Sequence, residues 1–140
     1  MAILNTAKKK FQDGEIDFVN DTIKVALLTS SHTTDIDTQE FFSDVNSNEA
    51  SASGYTTGGQ ALSGKSSTVD NTNDDSTLDG DNVTWTVTGG LTARYVAVYK
   101  DTGDPTTSPL ITIFDLGSDK TVTDGDFTVQ WDSEGIVTFS

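Results

Sequence analysis

Chemistry at a protein site needs a base, a nucleophile, a set of metal ligands or a cradle for an anion. This chain is short of each. Its one histidine, His32, stands among hydroxyls in Ser30-Ser31-His32-Thr33-Thr34. An activated hydroxyl needs a base held against it and a third group to orient that base. The run reads instead as a solvated turn. With no cysteine and no second histidine, a zinc site of the usual ligands has nothing to build on. Carboxylates do occur in pairs: Asp35 with Asp37, Asp74 with Asp75, Asp79 with Asp81, Asp124 with Asp126. A glycosidase needs two carboxyls facing across a groove, one with a raised pKa. These lie in polar stretches where aspartate serves the turn backbone. The chain therefore reads as non-enzymatic and without a cofactor.

Calcium is the more serious alternative. Residues 70–81 read DNTNDDSTLDGD, dense in oxygen donors. The EF-hand spacing nevertheless fails. Counting from Asn71, the sixth place holds Ser76 in place of glycine and the twelfth holds Asn82 in place of glutamate. An irregular loop site remains as the alternative. Gly58-Gly59 and Gly89-Gly90 lack the Lys-Ser/Thr and helix that make a phosphate loop. Trp85, Trp131, Tyr95 and Tyr99 include the types that stack on sugars, but they stand in alternating runs, where core packing explains them better. Tyr55, alone among small residues, is the aromatic expected at a surface contact.

The elements that must position such residues are mainly strands. Residues 91–114 are the centre: Tyr95 and Tyr99 point to one side of a run, Val96 and Val98 to the other. A strand apolar on both faces belongs where both are covered. Residues 101–109 form a long loop holding both prolines of the chain, and 110–114 returns as a second strand. Residues 22–30 form another strand, with Ile23, Val25 and Leu27 sharing a face. In 83–88, Val83, Trp85 and Val87 alternate with threonines, the pattern of a half-buried antiparallel strand. In 127–131, Phe127, Val129 and Trp131 do the same, and 136–139 is the last strand. Residues 7–11 predict a short helix stopped near Gly14, and 38–44 a helical turn whose Phe41 and Phe42 plug one end of the core. Residues 60–69 predict an edge strand with a bulge at Gly64. Polar loops are expected at 45–64, 70–81 and 115–126. The sum is an all-β chain: a single antiparallel β-sandwich or barrel of about seven to eight strands with minor helical turns.

Composition narrows the partners. The 140 residues suit one domain, and 22 acidic against 8 basic residues give a net charge of −14. A phosphate backbone or an anionic membrane surface asks for the reverse, so neither nucleic acid nor membrane is expected. No apolar run approaches a membrane span, and residues 1–4 are too short an apolar patch for a secretory leader. The charge is uneven. Residues 1–12 hold Lys8, Lys9 and Lys10 and no acid, and all 22 acids follow. This predicts an N-terminal arm over 1–14 ahead of a β-domain over 15–140. The arm would bring Ile3, Leu4 and Phe11 for burial and the three lysines for pairing with a partner's carboxylates.

The segments GEIDF, DTIKVALLTS, DIDTQEFFSDV, GYTTGGQAL, ARYVAVYKDTG, SPLITIFDLGSDKTVTDGDFTVQW and EGIVTF, spanning residues 14–139, together resemble a group of small β-rich structural proteins of tailed bacteriophages. The resemblance implies a virion component, above all a capsid decoration (cement) protein. Its partner would be the major capsid protein, its place the capsid surface and its state a homotrimer. A head fibre, head–tail or tail component is the nearest alternative. The main competitor of a different class is a carbohydrate- or calcium-binding β-sandwich module of the tail apparatus. The partner-binding residues expected are Ile3, Leu4, Lys8, Lys9, Lys10, Phe11 and Tyr55.

Overall fold

The computed structural model describes residues 2–140. In chain order they form β1 (Ala2–Ile3), α1 (Asn5–Gln12), β2 (Ile23–Leu28), β3 (Gln60–Ala61), β4 (Ser66–Asp70), β5 (Asp75–Asp79), β6 (Val83–Val87), β7 (Leu91–Lys100), β8 (Leu110–Val122), β9 (Gly125–Val129) and β10 (Val137–Phe139). Two 3₁₀ turns, Phe42–Asp44 and Asn46–Asn48, follow β2. The fold is an all-β antiparallel sandwich. A five-stranded sheet runs β1-β8-β7-β2-β3, a three-stranded one β10-β5-β4, and β6 pairs with β9.

The organising feature is one long ribbon bent at a corner. β7 and β8 pair from Leu91↔Val122 to Tyr99↔Leu110, and β6 and β9 continue the pairing from Val87↔Gly125 to Val83↔Val129. Between the halves, Gly89 and Gly90 both take positive φ, 78° and 94°, which glycine adopts without a Cβ clash. The Gly90 N–H donates to Thr123 O across the bend at 2.8 Å. Residues 115–122, expected as a polar turn, are thus the far end of β8. Their polarity follows from exposure on a long strand, so they lack the apolar alternation that marks a half-buried one. Four residues, 116–119, lie opposite Arg94 alone, a wide bulge in the ladder.

β2 and β7 lie at the centre and are covered on both faces. One face sends Ile23, Val25, Leu27, Val96 and Val98 into the larger core with Trp85, Val87, Phe127 and Ile136. The other face sends Ala26, Leu28, Ala97 and Tyr99 into a second core closed by Leu4, Ala7, Phe42 and Val45. Phe42 stacks on Tyr99 with ring centroids 4.1 Å apart, so it does plug that end of the sandwich, while Phe41 stays partly exposed.

Two stretches expected as loops are tied down, and one stretch expected as a single strand is divided. Residues 70–81 contain β5, which joins β4 in a hairpin closed at Asp70↔Asp75. Asp74 there takes φ 57°, a turn conformation that aspartate tolerates. Residues 60–69, expected as one bulged edge strand, belong to two strands. β3 pairs with β2 and β4 with β5, in different sheets. Residues 45–64 lie against the central sheet: a Cβ on Gly59 would stand 1.8 Å from Val25 O. Only glycine permits that approach.

Candidate docking groove

The N-terminal segment decides where the open surface lies. It is built into the β-body and does not stand apart as the arm expected at residues 1–14. β1 adds to the edge of β8 through Ala2↔Ile113 and Ile3↔Thr112. α1 then lays Ala7 into the second core. Lys9 and Lys10 in its last turn suit the negative end of the helix dipole, and Gly14, with φ 75°, follows the helix as its stop. From there residues 14–19 return beside the smaller sheet.

α1 and residues 14–19 face β4, β5 and β10 across a groove of about 690 Å³. Phe11, Ile16, Phe18, Val19, Leu78 and Phe139 give it an apolar lining. Phe11 meets Phe139 edge to face at 5.3 Å. Ile16, Phe18 and Leu78 are buried, whereas Phe11 and Phe139 keep part of their surface open. Val19 and Val69 are the exposed large hydrophobics of the described residues, at 39% and 73%. Val19 lines the groove. Val69 lies on the same face of β4 as Ser67, two residues away, and Ser67 lines the groove too. Exposed Val69 therefore stands on the groove face of β4, just beyond Ser67.

The groove carries one lysine and one carboxylate of its own, Lys8 and Asp17. Lys9 pairs with Asp13, which raises its pKa first through the hydrogen bond. Lys10 pairs with Glu40 at 3.1 Å and Glu15 at 3.3 Å. Partial burial lowers its pKa, but the two carboxylates outweigh that and leave it raised. Lys8 is exposed at the groove, and its side-chain ammonium has no hydrogen bond or ion pair among the described residues. The groove's one carboxylate, Asp17, is occupied. It accepts from the Asn20 side chain at 2.7 Å and the Asn20 N–H at 3.2 Å, which hold its pKa below the usual range.

Of the residues expected to contact a partner, Lys8 and Phe11 come together here. Leu4 does not: it is fully buried in the second core. Ile3 is half-buried in the β1–β8 pairing, and Lys9 and Lys10 are engaged within the chain. Tyr55, expected at a surface contact, is buried. Its hydroxyl donates to Glu49 Oε2 at 2.6 Å and accepts the Leu27 N–H at 2.9 Å. A tyrosine amid small residues satisfies strand β2 from inside. Ile16, Phe18, Val19, Leu78 and Phe139 were not singled out for a site. The visible trace was the alternation of Ile16 and Phe18 just before the Asn20-Asp21 turn.

The other chemical candidates resolve into structure. His32 is buried, not solvated: its ring packs edge-on to Tyr95 at 5.0 Å and its Nε2 lies 3.0 Å from Thr34 Oγ1. Burial lowers its pKa. Asp70, Asp75, Asp79 and Glu134 border a polar hollow on the opposite face of β4 and β5. The Asp70 oxygens there accept from Thr72 and Asn73. Among the described residues no group of three His, Asp or Glu side chains converges as metal ligands would. Trp85 is a core residue at 1% exposure. Trp131 tilts against Phe114 and donates its indole N–H to Asp81 O at 2.9 Å. Among the described residues no helix is long and apolar enough to cross a membrane.

Comparison with family models, curated proteins and solved structures finds no match to this chain.

Proposed function

We propose that this chain is a non-enzymatic structural protein of a tailed-phage virion, a capsid decoration protein that binds the major capsid protein on the capsid surface as a homotrimer. One observation carries the reading: an open apolar groove with an unpaired lysine on a body of charge −14. Apolar burial supplies affinity at roughly 25 cal/mol per Å² removed from water. The acidic exterior keeps many copies soluble and apart until they dock. The resemblance of residues 14–139 to small virion proteins supplies the choice of partner. Trimer formation would join weak contacts into a firm one, since each further contact becomes intramolecular.

The experiment is quantitative mass spectrometry of purified particles, with sedimentation of the free chain. Decoration predicts a copy number in simple ratio to the major capsid protein, and a free or particle-bound trimer. A few copies per particle would assign the chain to the head–tail junction or tail. Absence from particles would remove the reading.

A further inference from the structure

β4 is the outer strand of its sheet. It pairs with β5 alone, and among the described residues no backbone hydrogen bond reaches its other side. Folded proteins usually protect such an edge with proline, lysine, a bulge or a cover. Ser66–Asp70 has no proline, no lysine and no register shift, and it displays Val69 at 73% exposure. The edge opens directly beside the groove that Ser67 lines.

We propose that β4 accepts one extended strand from a partner protein, a segment alternating apolar and polar residues and carrying a carboxylate that meets Lys8. Strand addition satisfies the unpaired edge, and the period of two sends alternate side chains to the groove face beside Val69 and Val19. The polar residues between them fall on the opposite face, which holds Asp70, Asp75 and Asp79, so the carboxylate that meets Lys8 takes one of the groove-face positions, in the register of the apolar residues. Charge selects the carboxylate. Lys8 has no ion-pair partner among the described residues, while Asp17 keeps its charge with its oxygens engaged by Asn20, so the groove offers an open cation on a molecule that is otherwise strongly acidic. Charge also argues against a second copy. In a two-fold β4–β4 pairing the matching faces continue into each other, which would set the Asp70, Asp75 and Asp79 face of one chain beside its like. The inference rests on the groove being a docking surface, not on the partner being a capsid protein.

The test is selection of random decapeptides on the immobilised full chain. Enriched peptides are then titrated against wild type, Val69→Lys and Lys8→Glu. Both substitutions lie at exposed positions, and circular dichroism verifies that each variant is folded. The expected result is enrichment of alternating apolar–polar peptides containing Asp or Glu, with at least tenfold weaker binding to each variant. Enriched peptides without alternation, binding to either variant as tight as to wild type, or no enrichment would overturn the proposal. So would a wild-type dimer that Val69→Lys makes monomeric, since the occupant would then be a second copy. Absence of the chain from virions, with peptide selection positive, would remove the capsid partner and keep the strand site.

Discussion

The Tyr55 hydroxyl and Glu49 Oε2 lie 2.6 Å apart beneath the central sheet, and the same carboxylate oxygen accepts the Gly58 N–H at 2.8 Å. Burial raises the pKa of Glu49, against the opposing pull of those two donors. Burial likewise raises that of Tyr55, with the Glu49 hydrogen bond adding to it. The pair fastens residues 49–58 to β2 through the Leu27 N–H.

Removing the hydroxyl in Tyr55→Phe leaves the Leu27 N–H and a half-buried carboxylate without their partner, so the variant should lose about 1–3 kcal/mol. Glu49→Gln keeps an acceptor oxygen and removes the charge. A carboxyl with a raised folded pKa favours protonation in the folded state. Wild type should therefore gain stability relative to Glu49→Gln as the pH falls from 7 through that folded pKa, with the gain complete below the unfolded value of about 4.3. Urea titrations across this range check both. A difference constant with pH would mean that Glu49 is not strained by burial.

His32 gives the opposite sign. Its folded pKa lies below the ordinary value, so its contribution is present above about pH 6.5 and is lost as the pH falls from there through the folded pKa. His32→Phe keeps a ring against Tyr95 and cannot titrate. Wild type should lose stability relative to this variant as the pH falls below about 6.5. Asp35, Asp101 and Asp104, whose pKa values are lowered, contribute their own loss only below the ordinary carboxylate range. Melting temperatures at half-unit pH steps separate the two phases.

Trp85 lies between the sheets at 1% exposure, in tilted contact with Tyr55 at 5.4 Å, and its indole N–H has no acceptor. Trp85→Ala should cost about 3–5 kcal/mol through the lost burial and the cavity. Trp85→Phe removes the unpaired donor together with part of the volume. It should cost clearly less than the alanine change, because the buried N–H is itself unfavourable by about 1–3 kcal/mol. In urea melts, a Trp85→Phe loss as large as the alanine loss would mean that neither the retained ring volume nor removal of the N–H helps the core, contrary to this packing.

The residues that alternate were legible. Val83, Trp85 and Val87, like Ile23, Val25 and Leu27, face the core as their spacing requires. The all-β class followed from such runs. What escaped notice depended on distant partners. β5 and the end of β8 are polar, and their strand character comes from the β4 and β7 ladders they complete. His32 and Tyr55 looked like surface residues because their neighbours in sequence are small and polar. Both are buried by parts of the chain that local composition does not reveal: Tyr95 for one, β2 and Glu49 for the other. The groove was half visible. Lys8 and Phe11 stood in the basic segment, but its opposite wall is made by β4, β5 and β10, more than fifty residues later in sequence.

The N-terminal segment carries a prediction that separates folding from docking. An arm could be removed without harm. Here residues 2–10 supply β1, fully buried Leu4 and Ala7, and most of α1. Leu4→Ala should cost about 2–5 kcal/mol, and deletion of residues 1–10 should expose the Ala26, Leu28 and Tyr99 face and yield an unstable or aggregated chain. Loss of particle binding on deletion would therefore say nothing about attachment. Lys8→Glu is the clean variant, because that side chain is exposed and makes no contact the fold requires. Lys9 and Lys10 already hold Asp13, Glu15 and Glu40. Their replacement should act on the local structure around α1 more than on a partner. Thermal melts and particle-binding curves for Leu4→Ala, Lys8→Glu and Lys10→Ala should thus divide cleanly. Leu4→Ala lowers the melting temperature, Lys8→Glu weakens binding at unchanged stability, and Lys10→Ala shows a small stability loss with near-normal binding. A Lys8→Glu chain that binds as wild type would move the docking surface away from the groove.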